Sequence, residues 1–239
     1  AKFIWLATDG NGLLRLDKTS RKMDRLHKES VTRIISDHLN KLYVDTQQRL
    51  WIGSEDAGVS VADTQRLSFK HFTHDKENKH SLPAQMVHTF YQDQEQRIWV
   101  GTEAGAALWD GRDGFTTYSL GDSQAVDSIL SILQDPSGLM WFGSVFNGVY
   151  KSNEIPFEHI TEGLASNIIL SFAETKSSAG ESAIWVASYG GLTSLNSEGE
   201  VQEIFNKNSI PALVDARILA VRGDKNILWI GSRGAGLAK

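Results

Sequence analysis

The chain has 239 residues, with 24 lysines and arginines against 29 aspartates and glutamates and a net charge of −5. That acidic balance excludes nonspecific nucleic-acid binding, which needs a basic surface, and the absence of cysteine excludes disulfides, thiolate metal sites and cysteine nucleophiles. A hydrophobic content of 41% is enough for a large core, and no apolar run reaches the length of a membrane span.

From the first residues on, one pattern recurs: aliphatic, Trp, apolar, small, Ser or Thr. It reads IWLAT at 4–8, LWIGS at 50–54, IWVGT at 98–102, MWFGS at 140–144, IWVAS at 184–188 and LWIGS at 228–232. The tryptophans Trp5, Trp51, Trp99, Trp141, Trp185 and Trp229 are 46, 48, 42, 44 and 44 residues apart, a period that marks a repeat architecture. Each unit reads as four short strands. The second gives LYVD (42–45), RLWIGS (49–54), GVSVAD (58–63) and FKHFT (69–73). The third gives VHTFYQD (87–93), RIWVGT (97–102), AALWD (106–110) and FTTYS (115–119). The predicted class is therefore all-β: a β-propeller of four-stranded antiparallel blades, six repeats visible, over a single domain spanning 1–239.

Side chains alternate along a strand, so Leu50 and Ile52 point to one face while Trp51 and Gly53 point to the other. Both faces are apolar, as a strand sandwiched between sheets requires. The small residue two places after each Trp is expected to make room for an indole of an adjacent blade. Gly12, Gly58, Gly105, Gly148, Gly191 and Gly236 fall where hairpins need positive φ. Asp45, Asp93 and Asp135 precede the other turn, where the carboxylate can bond the backbone ahead of it. Loop 175–183 reads as a longer version of that turn. The stretch Arg15 to Arg33, with seven Lys/Arg against three acids, reads as a solvated outer strand and loop. The first repeat lacks an inner strand and the last an outer one, so the first and last blades are incomplete. The expectation is a fragment of a larger, seven-bladed ring, with a self-closed six-bladed ring as the alternative.

Units such as SLPAQMVHTFYQDQEQRIWVGTEAGAALW (81–109) and LASNIILSFAET…IWVASYGGLTSL (164–195) resemble the two-component regulator propeller repeat. The resemblance extends over nearly the whole chain, although the double Gly is kept only at Gly190–Gly191 and the lead-in Pro only at Pro83. It implies an extracytoplasmic, periplasmic sensor domain of a membrane-anchored, dimeric receptor. The output implied is a histidine kinase or diguanylate cyclase lying outside this chain, so no catalysis and no cofactor are expected here.

His71, His74 and His80 with Asp75 cluster around one outer strand, but Lys76 and Lys79 disfavour a cation there. Asp9-Gly10-Asn11-Gly12 lacks the further carboxylates of a calcium loop. Gly10–Gly12 and Gly234–Gly236 lack the following helix of a phosphate loop. What varies between repeats is the loop after the Trp strand, and the residues singled out there are Asp9, Asn11, Glu55, Asp56, Glu103, Phe146, Asn147, Tyr189 and Arg233. In a propeller these loops ring the channel mouth. Aromatic faces beside amides and carboxylates suit a small polar ligand such as a saccharide, and ordinary exposed turn residues are the alternative reading. Two other functions stay open. One is a protein-interaction platform; the other is a lyase resembling the streptogramin B lyases. The lyase would need a His or a carboxylate pair, and His80 is taken as the only histidine near a loop entering an inner strand.

Overall fold

The computed structural model describes every residue except 1, 31–32, 65, 119, 121–126, 153–157, 177–181, 207, 211–216 and 225–226, so the middle of loop 175–183 lies outside the described residues. The described residues contain 22 strands and no helix. They fall into two compact units, 1–119 and 120–239, of three sheets each, and in every sheet the strands are antiparallel and adjacent in sequence order.

In the first unit, sheet 1 holds β1 (Phe3–Thr8), β2 (Gly12–Asp17) and β3 (Met23–Leu26). Sheet 2 holds β4 (Leu39–Val44), β5 (Arg49–Ser54), β6 (Val59–Asp63) and β7 (Phe69–Phe72), and sheet 3 holds β8 (Val87–Gln92), β9 (Ile98–Thr102), β10 (Gly105–Trp109) and β11 (Phe115–Tyr118). In the second unit, sheet 4 holds β12 (Ile129–Gln134), β13 (Met140–Ser144), β14 (Val149–Ser152) and β15 (Glu158–Ile160). Sheet 5 holds β16 (Ile169–Lys176), β17 (Ser182–Ser188), β18 (Gly191–Leu195) and β19 (Val201–Phe205), and sheet 6 holds β20 (Ile218–Asp224), β21 (Ile227–Ser232) and β22 (Gly236–Ala238). The six-fold repeat of sheets is the one the tryptophan period predicts.

The core lies between sheets. Leu50 and Ile52 pack with Leu13, Ile34 and Leu39 toward sheet 1. Trp51, on the opposite face of the same strand, packs with Val87, Phe90, Ile98 and Phe115 toward sheet 3. Its ring lies edge-on to Trp109 at 5.1 Å, and Phe72 meets Phe115 edge-on at 5.3 Å, the geometry that aromatic quadrupoles favour. In the second unit Trp141, Ile169, Ile184 and Val186 fill the space between sheets 4 and 5, and Ala187, Leu192, Ile218 and Val221 that between sheets 5 and 6.

The motif glycine differs from expectation. A Cβ at Gly53 would lie 2.7 Å from Val87 Cγ1, and one at Gly143 would lie 2.5 Å from Ile169 Cγ2. The space is taken by the first residue of the next sheet's first strand, a β-branched side chain, joined at Gly143 by the hydroxyl of Ser131 from its own sheet, and not by an indole. Trp51, Trp99 and Trp141 are buried, Trp5 and Trp185 are half-buried, and Trp229 is 38% exposed. Within the units, Trp51 packs toward sheet 3 and Trp141 toward sheet 5. Arg15 also departs from the solvated reading: its guanidinium lies 4.7 Å from the Phe3 ring centroid and bonds Asp24 at 2.7 Å.

The aspartates before the turn bond the backbone as expected and do more. In sheet 2 the Asp45 carboxylate accepts from Arg49 N–H (2.8 Å), Arg49 Nε (2.6 Å) and Trp51 Nε1 (2.9 Å). Asp93 repeats this with Arg97 and Trp99. Asp135 takes the Trp141 indole N–H at 2.9 Å, and in sheet 5 the hydroxyl of Thr175 stands in, 2.7 Å from Trp185 Nε1. Each carboxylate thus ties a hairpin to the motif Trp inside the core.

Candidate ligand site

Each motif Ser or Thr ends its strand by donating to the carbonyl of the turn glycine: Thr8 to Gly12, Ser54 to Gly58, Thr102 to Gly105, Ser144 to Gly148, Ser188 to Gly191 and Ser232 to Gly236, at 2.6 to 3.3 Å. All six glycines have positive φ, as the sequence requires. The residue after the Ser or Thr then donates its N–H to the segment entering the sheet's own first strand. Glu55 bonds His38 O, Glu103 bonds Met86 O, Val145 bonds Ser128 O, Tyr189 bonds Ile168 O and Arg233 bonds Arg217 O, at 3.0 to 3.3 Å. One backbone arrangement thus presents a different side chain in each sheet.

Just beyond these bonds the first strand of each of sheets 2 to 6 carries a register shift, between Leu39 and Lys41, Val87 and Thr89, Ile129 and Ser131, Ile169 and Ser171, and Ile218 and Ala220. The extra residue of each bulge is Asn40, His88, Leu130, Leu170 or Leu219. Bulges re-aim a side chain and end pairing at a sheet margin, so polar bulge residues mark the first unit and leucines the second.

In the first unit three predicted residues come together around a histidine that the sequence reading passed over. His38, one residue before β4, bridges to Asp9 of sheet 1, with Nδ1 2.6 Å from the Asp9 carboxylate. Glu55 holds the His38 carbonyl through its N–H, and the Asp56 carboxylate accepts from buried Ser36 Oγ at 2.5 Å. The Asp9 hydrogen bond, with the charges of Asp9, Asp56 and Glu55, raises the His38 pKa above its ordinary 6.5. The stabilisation from this pair is therefore fully present below about pH 6.5 and lost as pH rises through the raised value. An NMR titration of the His38 ring is expected to give an elevated pKa that Asp9→Asn returns toward the ordinary value; an unchanged pKa in that variant would remove Asp9 as its cause. A second histidine, His88 in the β8 bulge, is held below its ordinary pKa by burial, with Glu103 opposing. His80 is therefore not the only histidine near a first strand.

Asn11 and Glu103 are exposed, and Arg25 Nε holds the Asn11 carbonyl at 2.8 Å. In the second unit Phe146 is 73% and Tyr189 41% exposed, and Arg233 is exposed. Asn147 has a different place. Its amide donates to buried Asp127, which also accepts the Tyr150 phenol, and burial with that carboxylate raises the Tyr150 pKa. Asn147 therefore anchors its loop from within.

Other candidates resolve into structure. His71 bonds Ser60 Oγ at 2.9 Å and His74 the Leu82 carbonyl at 2.7 Å, so the cluster around β7 is divided among local partners. A cavity of about 630 Å³ in the second unit lies at the opposite end of sheet 5, against Thr175, Lys176, Trp185, Asn196 and Glu198. Among its polar groups Trp185 bonds Thr175, and Asn196 bonds Glu200, which lies outside the lining.

The repeated antiparallel sheets define an all-β propeller fold. Residues 81–104 match the family model described as two component regulator propeller. No curated protein matches the chain. Among solved structures it is similar to the extracellular domain assigned to a one component system, BT4673, from B. thetaiotaomicron: TM-score 0.75, 17% identity, 99% of this chain and 31% of that one. The extracellular domain assigned to the hybrid two component system BT3049 of the same organism gives a TM-score of 0.59 at 20% identity, over 99% of this chain and 36% of that one. Virginiamycin B lyase from Staphylococcus aureus gives 0.71 at 15% identity, over 95% and 73%. The chain spans about a third of the length of the first of these structures.

Proposed function

We propose that the chain is the extracytoplasmic, periplasmic ligand-sensing propeller domain of a bacterial signalling receptor. It takes a small hydroxyl-rich ligand of the saccharide class at the loops that follow the motif Ser or Thr. The carrying observation is that these loops share one hydrogen-bonded backbone and differ in side chain, with Asp9, Glu55 and Asp56 gathered around His38. Carboxylates and an imidazole suit a ligand that donates several hydrogen bonds. The exposed rings of Phe146 and Tyr189, with Arg233, suit apolar sugar faces and polar substituents in the second unit. The rigid loops keep the ordering cost of binding low. The likeness to extracellular domains assigned to sensor systems supports the receptor context, in which the parent chain is membrane-anchored and dimeric and catalysis lies in an output domain elsewhere.

The test is a glycan array probed with the 239-residue protein and with Asp9→Asn/Glu55→Gln/Asp56→Asn, followed by calorimetric titration of the oligosaccharides retained. Wild type is expected to retain a defined glycan set that the triple variant loses. Tyr189→Ala is expected to weaken a ligand stacked on it by about 1–3 kcal/mol, while Met23→Ala on the outer strand β3 leaves binding unchanged. Equal retention by wild type and triple variant, or no retention by either, contradicts the reading. The propeller of virginiamycin B lyase keeps a second reading in view, and turnover of virginiamycin B dependent on His38 would select it.

A further inference from the structure

The Phe146 ring stands in water, yet the chain on either side of it is tied down closely. Val145 N–H bonds Ser128 O at 3.0 Å, Asn147 N–H bonds Ser144 Oγ at 2.8 Å, and Gly148 N–H bonds Asn167 O at 3.1 Å. Asn147 is then gripped twice more. Its amide donates to the carboxylate of Asp127, two residues before β12, and its carbonyl accepts from His159 Nε2 on the outer strand β15. Asp127 and Tyr150, whose phenol donates to the same carboxylate, are both buried. The His159 imidazole lies flat on the Tyr150 ring, 4.4 Å between centroids and 8° between planes, which fixes the direction of its Nε2.

Burying a carboxylate carries a desolvation cost that an apolar anchor would avoid. A fully satisfied polar network gives in return a single backbone conformation. The corresponding loop of sheet 2 is tied to its entering segment more simply, by one hydroxyl bond from Ser36 to Asp56. We propose that Asp127 and His159 are positioning residues of the ligand site: they clamp Asn147 from inside and from the outer strand, so that Phe146 stands as a fixed platform for the apolar face of a sugar ring. That role presupposes the loop site proposed above. A ring held ready before binding loses little freedom on contact, so the clamp acts on affinity more than on the fold.

The test compares three variants of the 239-residue protein. His159→Phe keeps a ring stacked on Tyr150 and removes the bond to the Asn147 carbonyl. Asp127→Ala strands the Asn147 amide and the Tyr150 phenol. The pair Asp127→Asn/Asn147→Asp exchanges the two groups and restores both bonds. Amide hydrogen exchange at Asn147 and Gly148, read without ligand, is expected to be about tenfold faster in His159→Phe and faster still in Asp127→Ala, and to recover in the exchanged pair. Affinity for the oligosaccharide that the array retains is expected to fall by about fivefold or more in the first two and to recover in the pair, while the Tm of His159→Phe stays that of wild type. Should Asp127→Ala not fold, His159→Phe and the exchanged pair decide. Unchanged hydrogen exchange in His159→Phe would overturn the clamp, whatever the protein binds. Faster exchange with unchanged affinity, where Phe146→Ala weakens binding, would overturn the positioning role and leave the loop site standing. A Phe146→Ala protein that binds as tightly as wild type would remove the platform itself.

Discussion

Replacing Trp51 with alanine is expected to destabilise the protein by about 3–5 kcal/mol, the range for emptying a buried aromatic site. The indole is wholly buried, edge-on to Trp109 and tilted against Phe90 at 6.0 Å, and it donates to the Asp45 carboxylate. Truncation would leave a cavity between sheets 2 and 3, whose walls are strands fixed by their own ladders and unable to collapse into it. It would also remove a donor from a carboxylate that has no access to water. Trp229→Ala, at the same motif position but exposed, is expected to cost about 1 kcal/mol or less. Urea unfolding of both variants checks the contrast. Similar losses would mean that the motif tryptophan is not an inter-sheet core residue.

Removing the Asp45 carboxylate is expected to cost about 3 kcal/mol, because several donors lose a charged acceptor at once. Asp45→Ala strands the Arg49 N–H, its guanidinium and the Trp51 indole N–H. Asp45→Asn is expected to cost nearly as much, since the amide can turn only one oxygen toward three donors. Thr175→Ala in sheet 5 removes a single neutral partner of Trp185 and is expected to cost about 1 kcal/mol. Chemical denaturation of the three variants reads this order, and an Asp45→Asn protein as stable as wild type would refute the role of the carboxylate.

The repeat made much of the fold legible. The Trp pattern, turn glycines and turn aspartates are each dictated by local chemistry: alternation along a strand, positive φ, and a short carboxylate beside its own backbone. What escaped was set between sheets. The occupant of the Gly53 notch is Val87, 34 positions on, and nothing local to LWIGS says whether an indole or a valine arrives there. The first-strand bulges were equally hidden, because the extra residue is Asn40, His88 or a leucine and carries no common signature. His38 was missed for the same reason: its partner Asp9 belongs to another sheet and nothing in their separation links them. Its position one residue before a first strand was the available signal. The loop residues were singled out by asking where repeats stop being alike. That criterion could not tell Asn147, which turns inward to Asp127, from its exposed neighbours.

The most direct test of the central claim, that ligand is taken by the variable loops, is NMR titration of the isotope-labelled protein with an oligosaccharide retained on the array. The account predicts shift changes at the variable loops of a unit, at Asp9, His38, Glu55, Asp56 and Glu103 in the first or at Phe146, Tyr189 and Arg233 in the second, with the opposite sheet ends silent. Shifts confined to Thr175, Lys176, Trp185 and Glu198 at the far end of sheet 5, with these loops unmoved, would contradict it.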